Sequence, residues 1–137
     1  MVVTAGPWLV DKSALARLGS VRNHDEWDRR VERGLARIAT VTLLEIGYSA
    51  RSVDDHTAAV STPPITLMPV EYLTPAAEDR AVEVQHLLAA RGQHRAPSVP
   101  DLVIAAIAEC AQLTLLHIDK DFELIADVTG QPAERLA

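Results

Sequence analysis

Leu113-Thr114-Leu115-Leu116-His117-Ile118-Asp119-Lys120-Asp121-Phe122 is an apolar run that stops abruptly in acid. Residues 113–118 read as a strand, and the acids that follow mark its carboxyl end. Trp8-Leu9-Val10-Asp11 repeats the pattern near the start of the chain: a short buried strand, then a carboxylate. Two further acids interrupt apolar segments. Glu45 falls within Thr42-Leu43-Leu44-Glu45-Ile46-Gly47-Tyr48, and Asp101 opens the apolar run of residues 102–108. Acidic side chains are seldom buried unless paired or bound to a metal. In these segments the only basic residues are Lys12 and Lys120.

Around these runs the pattern alternates. Strands are expected at Trp8–Val10, 38–41, 65–70 and 113–118, with a weak edge strand in the tail 131–137. Helices are expected at 13–18, 25–35, 42–50, Val53–Val60, 75–91, about 98–111 and 122–128. Trp27, Val31 and Leu35 form one buried stripe at i, i+4, i+8, and Ser98 is placed to cap the helix that carries Asp101. Strands alternating with helices specify an α/β fold: three α/β/α layers around a mostly parallel sheet of four to five strands. At 137 residues the chain is one domain, 1–137.

The apolar fraction of 48% suits a globular protein. The lead, residues 1–7, lacks the features of a signal peptide, and the longest apolar run is too short to span a bilayer, so a cytoplasmic location with no membrane partner is expected. Cys110 cannot form an internal disulfide and is expected to be a small core residue. A net charge of −6 argues against a broad grip on nucleic acid. A local grip is still open, because two of the 13 basic residues are Lys and the rest are Arg, the side chain that binds phosphate through a fork.

In a parallel sheet, functional groups gather at the carboxyl ends of the strands. If strands 8–10 and 113–118 are neighbours, Asp11 and Asp119 lie roughly 5 Å apart. Glu45 and Asp101 then approach on helices. Two unit charges at that distance repel by about 3 kcal/mol at an effective dielectric near 20. A hard divalent cation would remove the penalty, and an all-oxygen donor set favours Mg²⁺ or Mn²⁺ over Zn²⁺. Each acid also has a purely structural reading: Asp11 and Asp119 as helix caps, Asp101 as a first-turn acid facing a helix dipole, Asp121 as a first-turn surface acid, Glu45 as a residue turned to water.

Val10-Asp11-Lys12-Ser13-Ala14, Leu44-Glu45, Pro97-Ser98-Val99-Pro100-Asp101 with Ala105-Ala106, and His117-Ile118-Asp119-Lys120-Asp121-Phe122, in this order, resemble the PIN domain, and the chain looks like a VapC-type toxin of bacterial toxin–antitoxin pairs. The resemblance implies a metal-dependent endoribonuclease acting on tRNA or ribosomal RNA, with one or two Mg²⁺ or Mn²⁺ ions. By position it implies Asp11, Glu45, Asp101 and Asp119 as the catalytic acids and metal ligands, Asp121 as an additional ligand, and Ser13 as a supporting hydroxyl. It further implies a homodimer held in check by a VapB-type antitoxin. Helices such as 25–35 and Val53–Val60 offer apolar stripes for such a contact. Arg91, Arg95 and Lys12 are candidates to touch RNA; His94 reads as loop and His117 as structural. Three alternatives stand beside this reading: a phospho-acceptor domain, a non-catalytic PIN-like interaction module, and a DNA-directed nuclease of related fold.

Overall fold

The computed structural model describes residues 6–137. The reading of the lead as free of a signal peptide therefore rests largely on residues outside the described ones. The sheet has five strands: β1 (Trp8–Val10), β2 (Ala36–Ala39), β3 (Val70–Glu71), β4 (Thr114–His117) and β5 (Ala133–Arg135). Their order is β3-β2-β1-β4-β5, and every pairing is parallel. Seven helices connect and cover them: α1 (Lys12–Leu15), α2 (His24–Glu32), α3 (Thr40–Tyr48), α4 (Val53–Val60), α5 (Pro75–Ala89), α6 (Val99–Cys110) and α7 (Lys120–Thr129).

Side-chain alternation along β1 divides the core into two layers. Leu9 packs with Leu115, Leu102, Ile107, Leu88, Val84 and Phe122 under α5, α6 and α7. Trp8 and Val10 point the other way, to Leu116, Trp27, Val31, Ile38 and Met68. Both strand faces are therefore covered, as expected when short central strands are apolar throughout.

Three expectations need correction. Residues 65–70 do not form a strand: a 3-10 turn occupies Ile65–Leu67, and only Val70–Glu71 pairs with β2. Helix α2 stops at Glu32, because Gly34 adopts φ +73 and turns the chain away. Leu35 is thereby lifted out of the stripe and exposed, while Trp27 and Val31 are buried. Cys110 is exposed at the end of α6 rather than part of the core.

Gly130 closes α7 in the left-handed conformation (φ 74), its amide donating to the Ala126 carbonyl at 2.8 Å. An added Cβ meets no atom within 4 Å, so substitution there isolates the backbone cost. Gly130→Ala is expected to lower unfolding free energy by about 1–2 kcal/mol, readable from urea midpoints at unchanged slope.

Candidate metal centre

The carboxyl edge of the sheet assembles the acids. β1 and β4 are adjacent, with Val10 in register with Leu116. The Asp11 amide continues the ladder beyond the strand by donating to the Leu116 carbonyl at 2.9 Å. Asp11 is 4% exposed and caps α1: its Oδ2 accepts from the Ser13 amide at 3.0 Å. Asp119 caps α7 in the same way, Oδ1 accepting from the Asp121 amide at 2.9 Å. In each aspartate the cap occupies one carboxylate oxygen and leaves the other free of that bond.

Asp101 sits in the first turn of α6, where its amide donates to Ser98 Oγ at 3.2 Å. Asp101, Asp119 and Asp121 each bring one carboxylate oxygen to within 4.8 Å of the others. Asp121 is thus part of the cluster rather than a detached surface acid. Among the described residues Asp11 and Glu45 fall outside that group; Asp11 is linked to it by the charge it exerts on Asp101, and to Glu45 in the same way. Burial pushes the Asp101 carboxyl up to about 6; the Ser98 hydroxyl opposes this, while the charges of Asp11 and then Asp119 add to it. Burial also raises Glu45, with Lys12 opposing and Asp11 reinforcing. Asp121 is raised by burial and by Asp119, against Lys120.

Glu45 turns inward. Its side chain is 18% exposed; Oε2 lies 3.6 Å from Lys12 Nζ, and Oε1 is buried with no hydrogen-bond partner. A buried carboxylate oxygen without a donor is costly, and a cation is the partner its chemistry fits. Thr42, one turn earlier on α3, is fully buried and its hydroxyl is likewise unpartnered. Its spacing of three residues from Glu45 places it on the same helix face, the sequence signal that could have marked it.

The supports are specific. Ser13 Oγ accepts from the Ile118 amide at 3.1 Å, tying the turn after β1 to the turn after β4. His117 is buried on β4 against Phe122 (ring centroids 5.5 Å apart), and its Nδ1 accepts from the Asp119 amide at 3.1 Å. Burial holds the imidazole pKa down, so the ring is neutral with its proton on Nε2 and orients the backbone at Asp119. Ser13→Ala would leave the Ile118 amide unsatisfied. It is expected to lower turnover about 10–100-fold, as for other groups that orient ligands, and is checked by cleavage rates beside a circular-dichroism spectrum.

The candidate RNA contacts are dispersed. Lys12 is held by Glu45. Arg91 is bonded to Asp127 Oδ2 at 2.7 Å. Arg95 is exposed in the loop before α6. His94 is exposed in the same loop. Of the proposed partner-contact helices, α2 spends its apolar stripe on the core, whereas α4 buries no residue and exposes Val53.

An all-parallel five-stranded sheet with this acidic edge defines a PIN-type nuclease domain. The chain is 57% identical over 129 residues to Ribonuclease VapC2 of Mycobacterium tuberculosis (strain CDC 1551 / Oshkosh), covering 94% of this chain and 92% of that protein. It is 43% identical to Ribonuclease VapC21 of the same organism, covering 93% and 91%. The chain belongs to the VapC ribonuclease family. Among solved structures, the VapBC2 complex of Rickettsia felis bound to a DNA fragment from its promoter contains a chain of the same fold, with a TM-score of 0.77, 12% identity, and coverage of 95% of this chain and 98% of that one. No family model matches the sequence.

Proposed function

We propose that this protein is a Mg²⁺- or Mn²⁺-dependent endoribonuclease toxin that hydrolyses phosphodiester bonds in tRNA or ribosomal RNA. The observation that carries this reading is the convergence of the Asp101, Asp119 and Asp121 carboxylates within 4.8 Å of one another at the carboxyl edge of the sheet, with buried Asp11 at the end of the neighbouring strand. The relatives named ribonucleases support the choice of RNA.

Asp11, Glu45, Asp101, Asp119 and Asp121 would hold one or two ions, with Asp101, Asp119 and Asp121 the three whose oxygens already converge. A bound divalent cation supplies positive charge against the scissile phosphate and acidifies a water. The chain's own groups do the rest. The caps at Asp11 and Asp119 anchor one oxygen of each carboxylate and restrict its rotation, so the other would be available to an ion. Ser13 and His117 hold the two strand-end turns in register. A carboxylate of the set accepts the proton of the attacking water, and Lys12 opposes the upward push of burial on Glu45. Arg95, exposed in the loop before α6 and in no ion pair among the described residues, is the candidate left to steady the RNA backbone, since Lys12 is held by Glu45 and Arg91 by Asp127.

A VapB-type antitoxin is the proposed inhibitor. Its contact is placed on α3 and α4, where Leu44, Tyr48 (90% exposed) and Val53 are left uncovered beside Glu45. A homodimer in the cytoplasm is the proposed working form. Among the described residues, no helix is long and apolar enough to cross a membrane.

The test is cleavage of total RNA by purified, antitoxin-free protein with Mg²⁺, with Mn²⁺ and with chelator. Discrete products that vanish in chelator support the reading. Full activity in chelator, or no product in either metal, contradicts it.

A further inference from the structure

Outside the acidic edge, a cleft of about 670 Å³ is lined by Arg17, Ser20, Val21, Arg22, Asn23, Ile118 and the tail residues Leu136 and Ala137. Its walls all leave the carboxyl ends of neighbouring parallel strands: residues 17–23 follow β1 and α1, Ile118 follows β4, and Leu136 follows β5. The cleft therefore shares an edge of the sheet with the carboxylates. Ile118 joins the two directly, as it immediately precedes Asp119 and its amide donates to Ser13 Oγ. Arg17 lies six positions beyond Asp11, in the turn that follows α1.

The chemistry of the cleft is opposite to that of its neighbour. Arg17 and Arg22 are exposed, and among the described residues neither guanidinium is within ion-pair distance of a carboxylate. Other arginines are spent on partners: Arg37 on Glu71, Arg80 on Glu83 and Glu109, Arg91 on Asp127, Arg135 on Glu123. Among the described residues no Asp or Glu side chain lines the cleft, while Ser20 and Asn23 add hydrogen-bonding groups and Val21, Ile118 and Leu136 add apolar lining. A second basic cleft, around Arg29, Arg30 and Arg33, lies at the start of β1 beside Trp8, the amino end of the sheet. There Arg30 is already bonded to Glu26 and stacked on Trp8 and Trp27.

A chain of net charge −6 must bring a polyanion against its own carboxylates. Two unpaired guanidinium forks in a cleft that shares Ile118 with the turn before Asp119 answer the problem, because Arg binds phosphate in a bidentate, charge-assisted fashion. Resting on the ribonuclease reading, we propose that the Arg17–Arg22 cleft is the RNA track next to the cleavage site, gripping phosphates that flank the scissile one. Its hydrogen-bonding lining and unpaired positive charge favour a nucleic-acid backbone over an apolar protein segment.

The test uses the full-length protein and a fluorescently labelled, mixed-sequence oligoribonucleotide. Binding is followed by anisotropy in Ca²⁺ over a series of NaCl concentrations, and cleavage of total RNA in Mn²⁺ is run beside it. Arg17→Ala/Arg22→Ala is expected to weaken binding by about tenfold or more at low salt. The slope of log K against log salt should shrink by roughly 1.4, two phosphates at about 0.7 each. Arg17→Lys/Arg22→Lys, which keeps the charges, should retain the parent slope. Equal affinity and slope in the parent and the Ala variant would overturn the track. So would a defect confined to antitoxin binding, which would assign the cleft to a protein partner. A parent that neither binds nor cleaves RNA would remove the ribonuclease reading and the track with it.

Discussion

Asp119→Asn is expected to lower the rate of RNA cleavage by about 10³-fold, a loss of roughly 4 kcal/mol of transition-state stabilisation, without unfolding the protein. The choice of Asn is what makes the result informative. Asp119 is an N-cap in this structure, its Oδ1 accepting from the Asp121 amide. Asn caps as well as Asp does, and its amide oxygen can take the same bond. Only the charge and one potential ligand oxygen are lost. Asp11→Asn tests the other strand end by the same logic, since Asp11 Oδ2 caps α1. If capping were the whole role of these residues, both Asn variants would cleave RNA at the parent rate. Because each removes one charge from a crowded acidic set, neither should lower metal-free stability by more than a few tenths of a kcal/mol at neutral pH. Single-turnover rates in Mn²⁺, paired with thermal melts in chelator, read the two effects separately.

The second large effect concerns Asp101 and the linkage between metal, proton and fold. Metal-free protein should gain about 2.7 kcal/mol of stability at a divalent concentration 100 times the dissociation constant, and Asp101→Asn should remove most of that gain. Its proton equilibrium gives an independent signature. The folded carboxyl is pushed up to about 6 from an ordinary value of 3.8, so between those limits the folded state holds more protons than the unfolded one. Stability from this group is therefore fully present below about 3.8 and is lost as pH rises through about 6. His117 works in the opposite sense. Its folded pKa is lowered by burial, so it costs stability as pH falls below its ordinary value of 6.5. The raw stability–pH curve mixes the two slopes. The difference between the parent and Asp101→Asn, both metal-free, isolates the carboxyl: the variant should be the more stable at pH 7.5, with the gap closing as pH falls below 6. Denaturant melts across that range give the difference. A constant gap would mean that folding does not shift the Asp101 carboxyl, neither by burial nor by the charges of Asp11 and Asp119. Protons and cation compete for the same oxygen, so divalent affinity should also weaken below about pH 6.

The acidic edge was legible in the sequence because two of its members follow apolar strands directly, at Val10-Asp11 and Ile118-Asp119. A strand that ends in a carboxylate announces both the sheet and the end at which chemistry gathers. The adjacency of β1 and β4 then turned two local patterns into one site. What stayed hidden was decided by contacts distant in sequence or by single dihedral angles. β3 pairs through two residues only, and the apolar run before it bends into a 3-10 turn among prolines, so alternation there was misleading. Leu35 fits the stripe of α2 by spacing, but Gly34 ends the helix first. Cys110 sits on an Ala-rich helix yet faces water at its last turn. Asp121 reads as a surface acid in isolation; the cap at Asp119 curls the first turn of α7 so that its carboxylate faces Asp101. Arg91 looks available in the sequence, and only the fold sets it beside Asp127, 36 positions away.

Exposed acidic clusters are common, and this chain supplies its own control: His24, Asp25 and Asp28 lie close together at the start of α2, wholly on the surface. Mn²⁺ is therefore the probe to use, soaked into crystals of the protein and located by its anomalous scattering. The expected result is one or two ions at the carboxyl edge of the sheet, within about 2.0–2.3 Å of oxygens from Asp11, Asp101 and Asp119, with no ion there in Asp119→Asn. An acidic edge left empty at saturating Mn²⁺, or manganese found only at His24, Asp25 and Asp28, would contradict a metal-dependent nuclease centre at Asp11, Glu45, Asp101, Asp119 and Asp121.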